Sequence, residues 1–189
     1  MNGGFDIYIA GVGGQGIGLL SEALIRAIDY AGLPVKGCDT HGLAQRGGSV
    51  SSHVRIGAGA HSPLVAEGRA HLVIALELHE AVSAGRFYLR EGGTLLWFDA
   101  SWQPLQVRLG EAPAAVAADA DQVAALRHGQ AIRIGREAVP DPRMQNTAML
   151  AALCRRGLVP ALRLEHALAA LSDLMSGAAL EANLALLAD

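Results

Sequence analysis

The stretch "FDIYIAGVGGQG", residues 5–16, constrains this chain more than any other. An isoleucine-rich apolar run reads as a short buried strand and stops at glycine. Beyond the glycines, Ile17, Leu20, Leu24, Ile28 and Ala31 recur at steps of three and four. That spacing lays one apolar stripe along a helix running from Gly16 to Ala31. Gly32 and Pro34 then act as a stop signal. Strand, tight turn and helix in that order open an α/β fold.

Gly11, Gly13 and Gly16 satisfy G-x-G-x-x-G between a strand and a helix, the context that gives the pattern meaning. Glycines there permit a tight turn and close backbone approach, with free N–H groups and a helix dipole aimed at an anion. Two readings stay open on the pattern: a phosphate-bearing ligand, or glycines kept for close helix–sheet packing. Gly14 and Gln15 complete the candidate loop. A Walker loop is excluded, because no Lys-Ser/Thr follows.

Further strands are predicted at "LPVKGC", at "GSVSSHVRIG" (48–57), at "HLVIALE" (71–77), at "GGTLLWFD" (92–99) and at "AIRIGR". Helices are predicted over roughly 78–90, over "QVAALRHG" behind Asp119 and Asp121, and over "TAMLAALCRRG", with Asn146 placed to cap the last. "RLEHALAALSDL" and "ALEANLALLA" supply a helical C-terminus. The expectation is a single three-layer α/β domain over residues 1–189. Its mostly parallel, Rossmann-like sheet carries helices on both faces.

The bulk properties narrow the function. At 189 residues the chain is long enough for one well-buried core. No apolar run approaches the roughly 20 residues of a membrane span. The start has no basic n-region, so no signal peptide is expected and the cytoplasm is the expected compartment. A formal charge of -3 gives no footprint for nucleic acid. Cys38 and Cys154 are the only cysteines, too few for a four-cysteine cluster or zinc site.

A second cluster, "CDTHGLAQRGG" (38–48), gathers Asp39, Thr40, His41, Gln45 and Arg46 around small or flexible positions. Gly42, Gly47 and Gly48 let the backbone approach something closely. Arg46 offers a planar fork suited to carboxylate or phosphate. Thr40 and Gln45 add neutral donors and acceptors, and His41 could orient a ligand or shuttle a proton. The plainer alternative is a polar loop that hydrogen-bonds its own turns. Cys38 and His41, with His53, His61 and His71 downstream, lack the second tight pair of a zinc site, so no metal is expected.

"GVGGQG" after the first strand, followed by "DTHGLAQRGGSVSSHVRIG" after the second, resembles the gamma subunits and gamma domains of 2-oxoacid:ferredoxin oxidoreductases. The similarity continues through "EGGTLLWFD" and the helix beginning at Asn146, and the separate-chain format is that of the indolepyruvate branch. The resemblance implies a small subunit, inactive alone, of an enzyme that decarboxylates a 2-oxoacid to an acyl-CoA and reduces ferredoxin. It places thiamine diphosphate, Mg and [4Fe-4S] clusters on a large partner subunit, and associates this domain with coenzyme A and with contacts to that partner. Carried onto this chain, it makes His41 and Arg46 the catalytic candidates. Gly11, Gly13, Gly14, Gln15, Gly16, Thr40, Gln45, Gly47 and Gly48 become candidates for ligand or interface contact. Two alternatives come from the residues themselves: a free-standing NAD(P)-binding oxidoreductase using Gly11, Gly13, Gly16 and Asp39, or a non-enzymatic binding module of the same fold.

Overall fold

A computed structural model describes residues 4–40, 48–102, 107, 109–111 and 119–188. Its sheet has six strands: β1 (Phe5–Val12), β2 (Val35–Thr40), β3 (Ser49–Ile56), β4 (Ala70–Ala75), β5 (Leu89–Phe98) and β6 (Gln130–Ile134). They lie in the order β2-β3-β1-β4-β5-β6. Parallel ladders join β1 to β4, β4 to β5 and β5 to β6. β3 is antiparallel to both of its neighbours, β1 and β2. Five strands therefore share one direction and β3 opposes them.

The described helices are α1 (Ile17–Tyr30), α2 (Leu78–Tyr88), α3 (Ala120–Ala125), α4 (Gln145–Arg155), α5 (Leu164–Leu174) and α6 (Gly177–Ala188). β1 shows why they divide between two faces. Ile7 and Ile9 point into a core shared with α1, α4, α5 and α6, while Tyr8 and Ala10 point into a second core under α2 and α3. Side chains alternate along a strand, and a strand covered on both faces reads as a continuous apolar run. β4 and β5 repeat the division, with Leu72, Ile74 and Leu96 on one face and Val73, Ala75 and Leu95 on the other.

The predicted elements appear with shifted ends. Gly16 and Ala31 become the caps of α1. Asp119 caps α3, its Oδ1 accepting the Gln122 N–H at 2.9 Å. Asn146 does not cap its helix: α4 starts two residues earlier than expected, at Gln145, with Met144 in the cap position. β5 starts at Leu89, ahead of the apolar run, because its register against β4 shifts between Ala70 and Leu72. Among the described residues, no helix is long and apolar enough to cross a membrane.

Candidate ligand cleft at the glycine loop

The loop between β1 and α1 is built from backbone turns that only glycine adopts readily. Gly14 has φ +101° and Gly16 φ +79°, both in the left-handed region. A Cβ on Gly14 would meet nothing, so that residue borders open space; a Cβ on Gly16 would come within 2.6 Å of Asn146 Nδ2. Gly11 is small for packing, since a Cβ there would lie 2.6 Å from Ile17 Cδ1. The two readings of the glycine pattern thus divide by position: Gly11 serves helix–sheet packing, and Gly14 faces a cavity.

Gln15 is fixed from within. Its buried side chain accepts the Val12 N–H at 2.8 Å and donates to the Leu76 carbonyl at 2.7 Å, tying the loop to the end of β4. From the other side, Gln145 Nε2 donates to the Gln15 carbonyl at 3.1 Å, and Asn146 Nδ2 donates to the Gly16 carbonyl at 3.0 Å. These carbonyl partners set the amide orientation of Asn146. Its Oδ1 is left as a buried acceptor with no protein donor among the described residues.

A cleft of about 560 Å³ opens beside this loop, at the end of the sheet where the parallel strands finish. Leu19, Phe98, Val139 and Trp102 supply apolar wall, and Arg136, Arg143 and Gln145 supply polar donors. Arg136 donates through Nε to the Asp99 carbonyl at 2.6 Å, which leaves its terminal nitrogens without a protein partner among the described residues. Arg143 grips Asp141 with Nε and Nη2, and these hydrogen bonds pull the Asp141 carboxyl down to about 2. Trp102 is held by its own N–H, donated at 3.0 Å to Oε1 of Glu77, while Oε2 of Glu77 accepts the Glu80 N–H at 2.9 Å and caps α2. Glu77 is 1% exposed, so two backbone donors satisfy a buried carboxylate.

The second sequence cluster meets this loop at one point. Gly13 donates its N–H to the Gly48 carbonyl at 2.9 Å, fastening the end of the β2–β3 connection to the glycine turn. Thr40, at the close of β2, bonds to Ser51 across the ladder. His41, Gly42, Gln45, Arg46 and Gly47 lie outside the described residues. Asp39 accepts from Ser52 Oγ at 2.5 Å and stands beside the first turn of α1, where a Cβ on Gly18 would lie 3.6 Å from its Oδ2. The dinucleotide alternative loses support here, because β3 separates Asp39's strand from β1. Of the weighed metal ligands, Cys38 stands opposite His53 in the β2–β3 ladder. His53 sits buried in β3 accepting the Val65 N–H, and no metal-binding group of three His, Cys, Asp or Glu occurs among the described residues.

Trp102, Arg136, Arg143 and Gln145 were not singled out by sequence reasoning, and Asn146 entered only as a cap. The proline-flanked "VPDPR" break, just past the final strand, was the available signal.

The family description Pyruvate ferredoxin/flavodoxin oxidoreductase matches residues 6–189. The chain belongs to this family. Among curated relatives, the indolepyruvate oxidoreductase subunit IorB of Archaeoglobus fulgidus is 50% identical over 82 residues, 43% of this chain and 40% of that one. IorB of Thermococcus kodakarensis is 37% identical over 106 residues, 56% of this chain and 52% of that one. The matches thus span about half or less of these relatives' length. In solved structures the fold recurs in a keto/oxoacid ferredoxin oxidoreductase gamma subunit from Geobacter sulfurreducens. The TM-score is 0.64 at 20% identity, covering 97% of this chain and 94% of that one. It recurs also in the 2-oxoglutarate:ferredoxin oxidoreductase of Magnetococcus marinus, solved with 2-oxoglutarate, coenzyme A and succinyl-CoA bound. There the TM-score is 0.70 at 18% identity, over 100% of this chain and 30% of that one.

Proposed function

We propose that residues 1–189 act as one gamma-type catalytic domain, the small subunit of a cytoplasmic 2-oxoacid:ferredoxin oxidoreductase of the indolepyruvate or arylpyruvate type. The complete reaction converts a 2-oxoacid anion and coenzyme A thiol to acyl-CoA and carbon dioxide, releasing one proton and passing two electrons to ferredoxin. Thiamine diphosphate, Mg and [4Fe-4S] clusters are assigned to a large partner subunit. The residues here fit that division, since Cys38 and Cys154 cannot supply four thiolates to one cluster.

One observation carries the reading: the cleft beside the glycine loop pairs an apolar, Trp102-bearing wall with Arg136 and Arg143. A coenzyme A molecule needs that combination, apolar surface for its organic parts and guanidinium donors for its phosphates. Gly14 and Gly16 bring backbone to the same edge. The His41–Gly47 segment joins β2 to β3, and its exit at Gly48 is tied to Gly13. In this proposal Arg46 supplies a fork for a carboxylate, a phosphate or the partner, with His41 orienting and Gln45, Thr40 and Gly47 as neighbouring contacts.

The test begins with an anaerobic pull-down of the full chain, with mass spectrometry and iron and thiamine assays on the eluate. A large partner carrying both is expected; a chain that elutes alone without either overturns the subunit reading. In the reconstituted complex, Arg136→Ala should raise KM for coenzyme A and Arg46→Ala should lower turnover. Normal assembly with every constant unchanged removes these residues from the site.

A further inference from the structure

The opposite end of the sheet holds a second concavity. Gly4, Asp6, Arg55, Arg69, His71 and Arg90 line a cleft of about 350 Å³. Its side chains come from the start of β1, the end of β3, the approach to β4 and the register shift at the start of β5. The reversed direction of β3 is what delivers Arg55 here. At about 3.3 Å per residue, the length of β1 from Asp6 to Gly13 puts roughly 20 Å between this cleft and the glycine loop.

Positive charge collects in it against the net charge of -3 on the chain. Arg55 donates through Nε to Asp6 at 2.7 Å and through Nη1 to the Ser62 carbonyl at 3.1 Å, so it forms a braced wall. Arg69 and Arg90 have no acidic partner within 4.0 Å among the described residues. His71 accepts the Asp6 N–H on Nδ1 at 3.1 Å, with its ring 4.9 Å from that of Phe5. A neutral imidazole accepting on Nδ1 carries its hydrogen on Nε2, which makes that nitrogen a donor. Burial, and then the Arg90 and Arg69 charges, hold His71 below its usual value against the opposing pull of Asp6, which favours this neutral form.

We propose that this cleft binds the phosphate group of a small anion, a phosphomonoester or a polyphosphate, through Arg69, Arg90 and Nε2–H of His71. Asp6 is paired through Oδ1 with Arg55, and the other charged or polar side chains of the lining, Arg55, Arg69, His71 and Arg90, outnumber it as donors. They converge from separate strands, which suits the three oxygens and double charge of a phosphate better than a flat carboxylate. The inference stands apart from the reading of the glycine-loop cleft.

Calorimetric titration of the full chain with inorganic pyrophosphate at low salt tests it. An Arg136→Ala/Arg143→Ala background silences the other cleft. Saturable binding should persist in that background, weaken with added salt, and fall roughly tenfold or more on adding Arg69→Ala and Arg90→Ala. Arg90→Gln alone serves as the second variant should the larger set lose its circular dichroism. Absence of saturable binding, or binding indifferent to Arg69 and Arg90, overturns the proposal. Repeating the titration on the assembled complex separates the remaining source of negative charge. Binding that persists there supports a small ligand; its loss assigns the arginines to a carboxylate of the partner and overturns the proposal too.

Discussion

Asn146 Nδ2 stands 3.0 Å from the carbonyl oxygen of Gly16, a hydrogen bond that spans 130 residues of chain. It closes the glycine loop from outside, as Gln15 closes it from within. The contact leaves no room for a side chain at position 16, so helix α4 and the glycine turn are fitted as one unit.

Replacing Asn146 by Ala removes two donated bonds, to the Gly16 and Gln15 carbonyls. At roughly 0.5–1.5 kcal/mol net each, the expected loss is about 1–3 kcal/mol, read as a lower urea midpoint. Asn146→Asp should cost more, because a carboxylate would face two carbonyl oxygens with no donor. Asp more stable than Ala at this position would remove the bond from the account.

Gly16→Ala should destabilise by about 1–3 kcal/mol through its left-handed backbone, with the steric contact against Asn146 added. The two changes share that contact. The double variant Gly16→Ala/Asn146→Ala should therefore lose less than the sum of the single losses. Gly14→Ala meets no atom, so backbone strain alone should set its stability loss. Its added methyl borders the cleft instead. Strict additivity at 16 and 146 in a double-mutant cycle would count against the fit.

Glu77 links α2 to the cleft, and Glu77→Ala should leave the Glu80 and Trp102 N–H groups without their acceptor. Losing a cap and two part-buried hydrogen bonds should cost about 1–3 kcal/mol. Glu77→Gln keeps one acceptor oxygen and should recover part of it. In the reconstituted complex, the Gln variant should still raise KM for coenzyme A more than it lowers kcat, because Trp102 is the residue displaced. An equal drop in kcat with KM unchanged would place Glu77 in stability alone.

Local pattern carried much of this architecture. The helical stripe from Ile17 to Ile28 and the apolar runs of β1, β4 and β5 are set by burial, which periodicity reports directly. The direction of β3 was not legible, because alternation along "SVSSHVRI" has the same period whichever way a strand runs. The glycine pattern leaves a ligand-facing turn and close helix–sheet packing both open, and only the structure separates them, with Gly14 bordering the cleft and Gly11 packed against Ile17. The rest of the cleft was hidden. Asn146 looks like a helix cap in sequence because its partners lie 130 and 131 positions away. Arg136, Arg143 and Trp102 belong to connections whose composition does not reveal what they border.

Alkaline stability should be governed by buried acids that are neutral when folded. Burial pushes the Cys154 thiol up to about 11 from an ordinary 9.0, and the Tyr8 hydroxyl to about 12 from 10.0. A raised folded value means that the unfolded chain gives up its proton first. The stabilisation is complete below the unfolded value and is lost as pH rises through the folded one. The melting temperature should therefore hold near pH 8, fall from about pH 9 and keep falling to about pH 12. Tyr8→Phe should flatten the upper part of that decline, although it also removes the hydroxyl from a ring stacked 3.6 Å from Tyr88. With its thiol held up by burial, Cys154 should react with iodoacetamide far more slowly in the folded chain at pH 8 than in urea. Mass spectrometry of timed samples reads both cysteines at once. Rapid alkylation of Cys154 in the folded protein would show that the thiol is not held neutral by burial.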